Sequence, residues 1–174
     1  MSPQILSVKL FFLCVLGGEL HVAMTINLRI ILKRPTPGVD FALQKGGGSK
    51  YETVQKQRSA ANADLKFEFS VTVRSDKDGA PDFFGPFVQG VRGDRYVYID
   101  IGTYAGQTNT DWSRRLKVPL SRITWELVNS QSTLVGEIPG TGKDGGPNCA
   151  YVWLKTLNEP WQWKTLTKTK SRSR

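Results

Sequence analysis

Apolar and polar residues alternate with a period of two along most of this chain, the spacing that sends successive side chains to opposite faces of a strand. The clearest stretch is LKFEFSVTVR (65–74): Leu65, Phe67, Phe69, Val71 and Val73 share one face, and every residue between them is polar. A helix would scatter those five around its circumference, so the period predicts a strand. Ile26, Leu28, Ile30 and Leu32 alternate in the same way with Asn27, Arg29 and Lys33. In RYVYIDIGTYAGQ (95–107), Val97, Ile99 and Ile101 form one face, Tyr96, Tyr98 and Asp100 the other, and Gly102 and Gly106 break the run. Leu116, Val118 and Leu120, then Ile123, Trp125 and Leu127, then Leu134 to Ile138, and finally Ala150, Val152 and Leu154 continue the pattern. Glu52 to Arg58 reads as a polar edge strand, and Val39 to Leu43 as a short apolar patch.

Turn chemistry separates these runs: Pro35 to Gly38, the glycine-rich 44–49, Ser75 to Gly79, the hairpin loop Val91 to Asp94, and the loop 139–148. With no amphipathic helix and no internal repeat, the reading is all-β: an antiparallel β-sandwich or small barrel of about eight short strands. Residues 24–157 form the single domain. An irregular leader precedes it at 1–23, and a disordered basic tail follows at 158–174. The leader, with Lys9, the apolar run Leu10 to Leu16 and Gly17-Gly18, is either a poor signal peptide or translated sequence upstream of a start at Met24. Cleavage after Ala23 would put His21 where a small residue is wanted. The apolar run is too short to span a bilayer.

Charge adds little to this picture. The formal net charge is +9, but nearly half of it sits in the tail, on Lys164, Lys168, Lys170, Arg172 and Arg174. A basic tail on a mildly basic domain is more often a solvated extension than a nucleic-acid site. The scarce residues are more informative. The single histidine, His21, lies in the leader, so residues 24–174 cannot build a Ser-His-Asp or Cys-His relay. Zinc and haem sites would lack their commonest nitrogen ligand. Cys14 and Cys149 are the only cysteines; they make no disulfide framework, which suits a reducing, cytoplasmic setting, with export as the alternative.

Four groupings could carry chemistry. Tyr96, Tyr98 and Asp100 share a strand face at roughly 6–7 Å intervals; Tyr104 and Trp112 lie close in sequence, and Arg115 could join them. On a concave face these would bind a ligand, with Asp100 and Tyr98 as candidate acid–base groups. On a covered face the tyrosines are amphipathic cover. Arg114, Arg115 and Lys117 form the densest basic group in the domain, an anion clamp or an ordinary charged sheet surface. GTGKDG (140–145) matches G-x-G-x-x-G, but Pro147 and a strand follow where the dinucleotide mechanism needs a helix. A backbone nest there, with Gly142 and Lys143, could still take a simple anion. Cys149 has no histidine partner. Asp76, Asp78, Asp82 and Asp94, read as loop acids, lack the ligand ladder of a calcium site. No metal or organic cofactor is expected.

The blocks RPTPGVDF (34–41), LQKG (43–46), GPFVQG (85–90), YVYIDIGTYAGQ (96–107), SRRLKVPL (113–120) and PGTGKDGGPNCA (139–150) resemble a bacterial domain-of-unknown-function family of small proteins, over about residues 24–153. The leader and tail depart from its pattern. The resemblance implies no assigned activity and supplies no catalytic residues. The expected function is therefore a non-catalytic module that binds a small molecule or protein partner through the aromatic face. The alternatives are a cofactor-free Asp/Tyr acid–base enzyme and a weak nucleic-acid binder acting through the tail.

Overall fold

The computed structural model describes residues 13–16, 19–35, 37–46, 52–104, 114–138 and 162–166. In chain order the strands are β1 (Leu13–Leu16), β2 (Glu19–Val22), β3 (Met24–Leu32), β4 (Val39–Lys45), β5 (Glu52–Arg58) and β6 (Leu65–Ser75). There follow β7 (Pro81–Phe84), β8 (Gln89–Val91), β9 (Asp94–Tyr104), β10 (Arg114–Pro119), a short helix α1 (Trp125–Asn129), β11 (Leu134–Ile138) and β12 (Trp163–Thr165).

Among the described residues β3 to β12 form two five-stranded sheets, and β1 and β2 pair separately. One runs β12-β11-β3-β6-β7; the other runs β10-β9-β4-β5, with β8 also on β9. The sheets pack face to face as a sandwich, which settles sandwich over closed barrel. Pairing is antiparallel except between β11 and β3, which run parallel with Leu134 opposite Leu28. The apolar phase of the central strands β3, β6, β9 and β10 turns inward. Leu28, Ile30, Phe67 and Val73 from one sheet meet Leu43, Val97, Ile99, Leu116 and Val118 from the other, all of them buried. Each such side chain contributes roughly 1.5–3 kcal/mol through burial.

Among the described residues the two sheets share no backbone ladder, yet side chains cross both seams. On one side β5 carries an extra residue against β4 between Val54 and Gln57, and Gln55 takes a positive φ of 50° there. Gln55 and Gln57 then donate from Nε2 to the backbone carbonyls of Glu68 (2.9 Å) and Lys66 (2.7 Å) on β6 of the opposite sheet. On the other side Trp163, buried on β12, donates from Nε1 to the Pro119 carbonyl on β10 at 3.1 Å. Each bond occupies a carbonyl that an edge would otherwise offer to another chain. Replacing Gln55 and Gln57 together with alanine should lower stability by about 1–3 kcal/mol, at 0.5–1.5 per bond. Urea unfolding with an unchanged midpoint would show that these bonds contribute nothing.

Four expectations change. Ile123, Trp125 and Leu127 do not form a strand. Thr124 caps α1 and its side chain accepts from the Leu127 N–H, while Glu126 sits in the first turn. Capping and a favourable helix dipole override the short period-two run. Trp125 then donates to the Gly79 carbonyl at 2.7 Å, pinning the helix to the β6–β7 turn. Second, the boundary drawn at 157 falls short, because Trp163–Thr165 belongs to a sheet. Third, Asp82 lies in β7 and Asp94 opens β9, so neither is a loop acid. The leader, read as irregular, also departs from expectation: β1 and β2 form an antiparallel hairpin there. The strand expected over 149–154 and the loop 139–148 lie outside the described residues.

Candidate functional site

The outward face of the β10-β9-β4 sheet is built from the residues that alternate with the core. On β9 these are Asp94, Tyr96, Tyr98 and Asp100. On β10 Lys117 stands opposite Tyr98, and Arg115 opposite Asp100. On β4 they are Asp40, Ala42 and Gln44, with Ala42 opposite Asp100. β4 and β8 both pair with the side of β9 away from β10, β8 at Asp94–Tyr96 and β4 from Ile99 onward. The end of β4 therefore meets β8, and Gln44 meets Gln89. Gly46 makes this approach possible, since a Cβ there would lie 2.6 Å from Gln89 Cγ. Gly90, with φ of 85°, performs a similar service at the β8–β9 hairpin, where a Cβ would strike the Asp94 carbonyl and the Tyr96 ring.

A polar chain crosses four strands on this face. Gln89 Nε2 donates to Gln44 Oε1 at 3.0 Å. Gln44 Nε2 donates to both Asp100 oxygens, at 3.1 and 3.4 Å. Arg115 Nε lies 3.2 Å from Asp100 Oδ1. Asp100 and Gln44 are each only 1% exposed, whereas the Arg115 side chain is 41% exposed. Burial pushes the Asp100 carboxyl above its ordinary range, and the Arg115 charge and the Gln44 hydrogen bond offset only part of that rise.

The tyrosines are half-buried. Their rings are 4.8 Å apart at 57°, within the range of a favourable aromatic pair. The neighbouring strand lays a cation on each. Arg115 Cζ is 5.6 Å from the Tyr98 centroid, and Lys117 Nζ is 4.3 Å from that of Tyr96. Lys117 also meets Asp94, at 2.9 and 3.1 Å.

Six of the residues singled out in the sequence therefore share one surface: Asp94, Tyr96, Tyr98, Asp100, Arg115 and Lys117. Tyr104 ends β9 opposite Val39, and Arg114 begins β10 opposite Ile101, but their side chains are outside the described set. Trp112, Gly142, Lys143 and Cys149 also lie outside the described residues. Sequence reasoning missed Gln44 and Gln89, although Gln44 follows the alternation of β4 and Gln89 ends an apolar segment. It passed over Asp40 and took Asp82 for a loop acid, although both are buried. Asp40 is held below its ordinary range by hydrogen bonding to Arg58, against the pull of burial. Burial raises Asp82 strongly, but its bidentate pairing with Arg95 and the neighbouring charges bring it below its usual value. Arg95 belongs to β9 and Asp82 to β7, so this pair ties one end of the sandwich together.

Among the described residues no three His, Cys, Asp or Glu side chains gather as a metal site, and no helix is long and apolar enough to cross a membrane. The fold and site define a class: an all-β sandwich with a buried acid–amide chain beneath an aromatic, cationic sheet face. The chain belongs to the family of unknown function DUF5990, whose model matches residues 26–164. That match runs into β12, beyond the 24–153 over which the blocks resemble the family. No curated protein and no solved structure matches the chain.

Proposed function

We propose that this protein is a binding module that takes a small molecule or a partner segment on the outward face of β9 and β10. One observation carries the reading: two half-exposed tyrosines with ring centroids 4.8 Å apart, each flanked by a cation from the adjacent strand. Aromatic rings beside a guanidinium give contact area, orientation and polar recognition at small entropic loss. Asp100 supports the face from beneath. Its oxygens accept from Gln44 and Arg115, which suits a group that positions Arg115. One thiol in the domain favours a reducing compartment, and the reading places the protein in the cytoplasm.

A ligand-library thermal-shift screen tests this. A true site ligand at about 100 times its Kd should add about 2.7 kcal/mol of stability, and Tyr98→Ala should abolish that gain while the variant remains folded. Hits that raise the midpoint equally in both proteins would end the reading.

The raised carboxyl of Asp100 favours a second reading, an acid–base enzyme with Asp100 and Tyr98 as its groups. Engagement of both Asp100 oxygens and its near-complete burial weigh against it, since a proton-transfer group must reach the substrate. Turnover lost in Asp100→Asn while ligand affinity is retained would reverse that preference.

A further inference from the structure

We infer that the N-terminal half of β6 is a self-pairing edge, which Gln55 and Gln57 hold shut against a second copy of this chain. The phase of the ladder decides which backbone groups face that edge. In an antiparallel strand the N–H and C=O of one residue point to the same side, and successive residues alternate. The Asp76 N–H donates to the Ala80 carbonyl at the β6–β7 turn. Arg74 and Thr72, paired with Asp82 and Phe84, therefore also turn their backbone toward β7. Counting back by twos, Ser70, Glu68 and Lys66 present theirs on that same side, away from β3. Yet β7 covers β6 only from Thr72 onward. The Glu68 and Lys66 carbonyls take the Gln55 and Gln57 amides instead. Neither the Lys66 nor the Glu68 N–H meets an acceptor among the described residues.

A row of such groups is a template for another strand, and the side chains beside it select which one. Lys66 and Glu68 are both exposed. Glu68 pairs with Arg29 yet keeps 60% of its side chain in solvent. An antiparallel copy of β6, turned about Phe67, sets Lys66 opposite Glu68 of the second copy and Glu68 opposite its Lys66. Sliding the register by two residues puts Lys66 on Lys66 or Glu68 on Glu68, so charge selects one alignment. The overlap runs over 65–69 in each copy, stopping short of β7 at one end and of the turn before Leu65 at the other. Each opposed pair exchanges both of its N–H···O bonds. Every one of those bonds needs a carbonyl that Gln55 or Gln57 now holds, so the two glutamines and the second copy compete for the same atoms.

The test compares the full chain with its Gln55→Ala/Gln57→Ala variant by analytical ultracentrifugation and by backbone amide hydrogen exchange. In the wild type the Lys66 and Glu68 amides should exchange much faster than those of Phe67 and Phe69, which face β3. The double variant should dimerise about tenfold more tightly than wild type, and its Lys66 and Glu68 amides should gain protection as concentration rises. Adding Lys66→Glu should dissolve that dimer by setting carboxylates against each other, and adding Glu68→Lys as well should restore it. Should the double variant lose its fold, Gln55→Ala and Gln57→Ala singly, each missing one bond, carry the same comparison. A folded variant no more dimeric than wild type would overturn the inference. So would a dimer indifferent to Lys66→Glu, or Lys66 and Glu68 amides that are already protected in the wild-type monomer.

Discussion

Arg115→Ala should lower stability by about 3 kcal/mol near neutral pH, and the loss should shrink as the solution is acidified. Removing one partner of a buried ion pair typically costs about 3–5 kcal/mol, because the other charge is left in a poor solvent. Arg115 is itself 41% exposed while Asp100 is 1% exposed, which places the effect at the low end. The pH dependence follows from the direction of the Asp100 shift. Its folded-state pKa is raised, so the unfolded chain gives up the proton first as pH rises. Stability therefore falls between the two pKa values, and the full penalty holds above the folded one. Without the arginine the folded value rises further, which widens that window. Protonated Asp100 below it needs no cation. Asp40, Asp64 and Asp82 behave in the opposite sense. Their folded pKa values are lowered, so their support is present above the unfolded value and drains as pH falls through the folded ones. Those three are common to both proteins and cancel in the difference. Urea unfolding of wild type and variant across a pH series measures it, and a difference that stays flat with pH would mean that Asp100 carries no stranded charge.

Trp163→Ala should be at least as damaging, at about 3–5 kcal/mol. Trp163 is 3% exposed and belongs to the same core cluster as Phe67 and Ile99. Its indole also makes the bond to the Pro119 carbonyl that crosses one seam of the sandwich. Trp163→Phe separates the two contributions. It keeps most of the burial and strands one carbonyl, for a loss of about 1–3 kcal/mol. If Trp163→Ala melts within 0.5 kcal/mol of wild type, the C-terminal strand is an ornament and the domain does end near 157.

The period-two runs at 26–32, 65–73 and 97–101 were enough to read the class of fold, because each buries a whole face and tolerates no slip of register. The parts that escaped share a cause. β4 shows no alternation of burial: Asp40, Ala42 and Gln44 are as buried as Val39, Phe41 and Leu43. Its sequence still alternates, but the covering of its polar phase is a tertiary event that spacing does not encode. Trp163 was assigned to a tail because lysine, serine and threonine surround it, and composition averaged over a window hides one buried indole. Tyr96, Tyr98, Asp100 and Arg115 could be set on one face by spacing alone. The amides behind Asp100 could not, since Gln44 lies 56 positions from Asp100, and Gln89 lies 45 from Gln44, to which it donates. Only the meeting of β4 with β8 brings them together.

The parallel pairing of β3 with β11 has a consequence in time. Met24–Leu32 leaves a ribosome about a hundred residues ahead of its neighbour Leu134–Ile138, and further still ahead of the strand bearing Trp163. Until then the nascent chain can form hairpins such as β8–β9 but cannot seal one margin of its first sheet. Such distant pairings slow folding and leave apolar surface open to other chains.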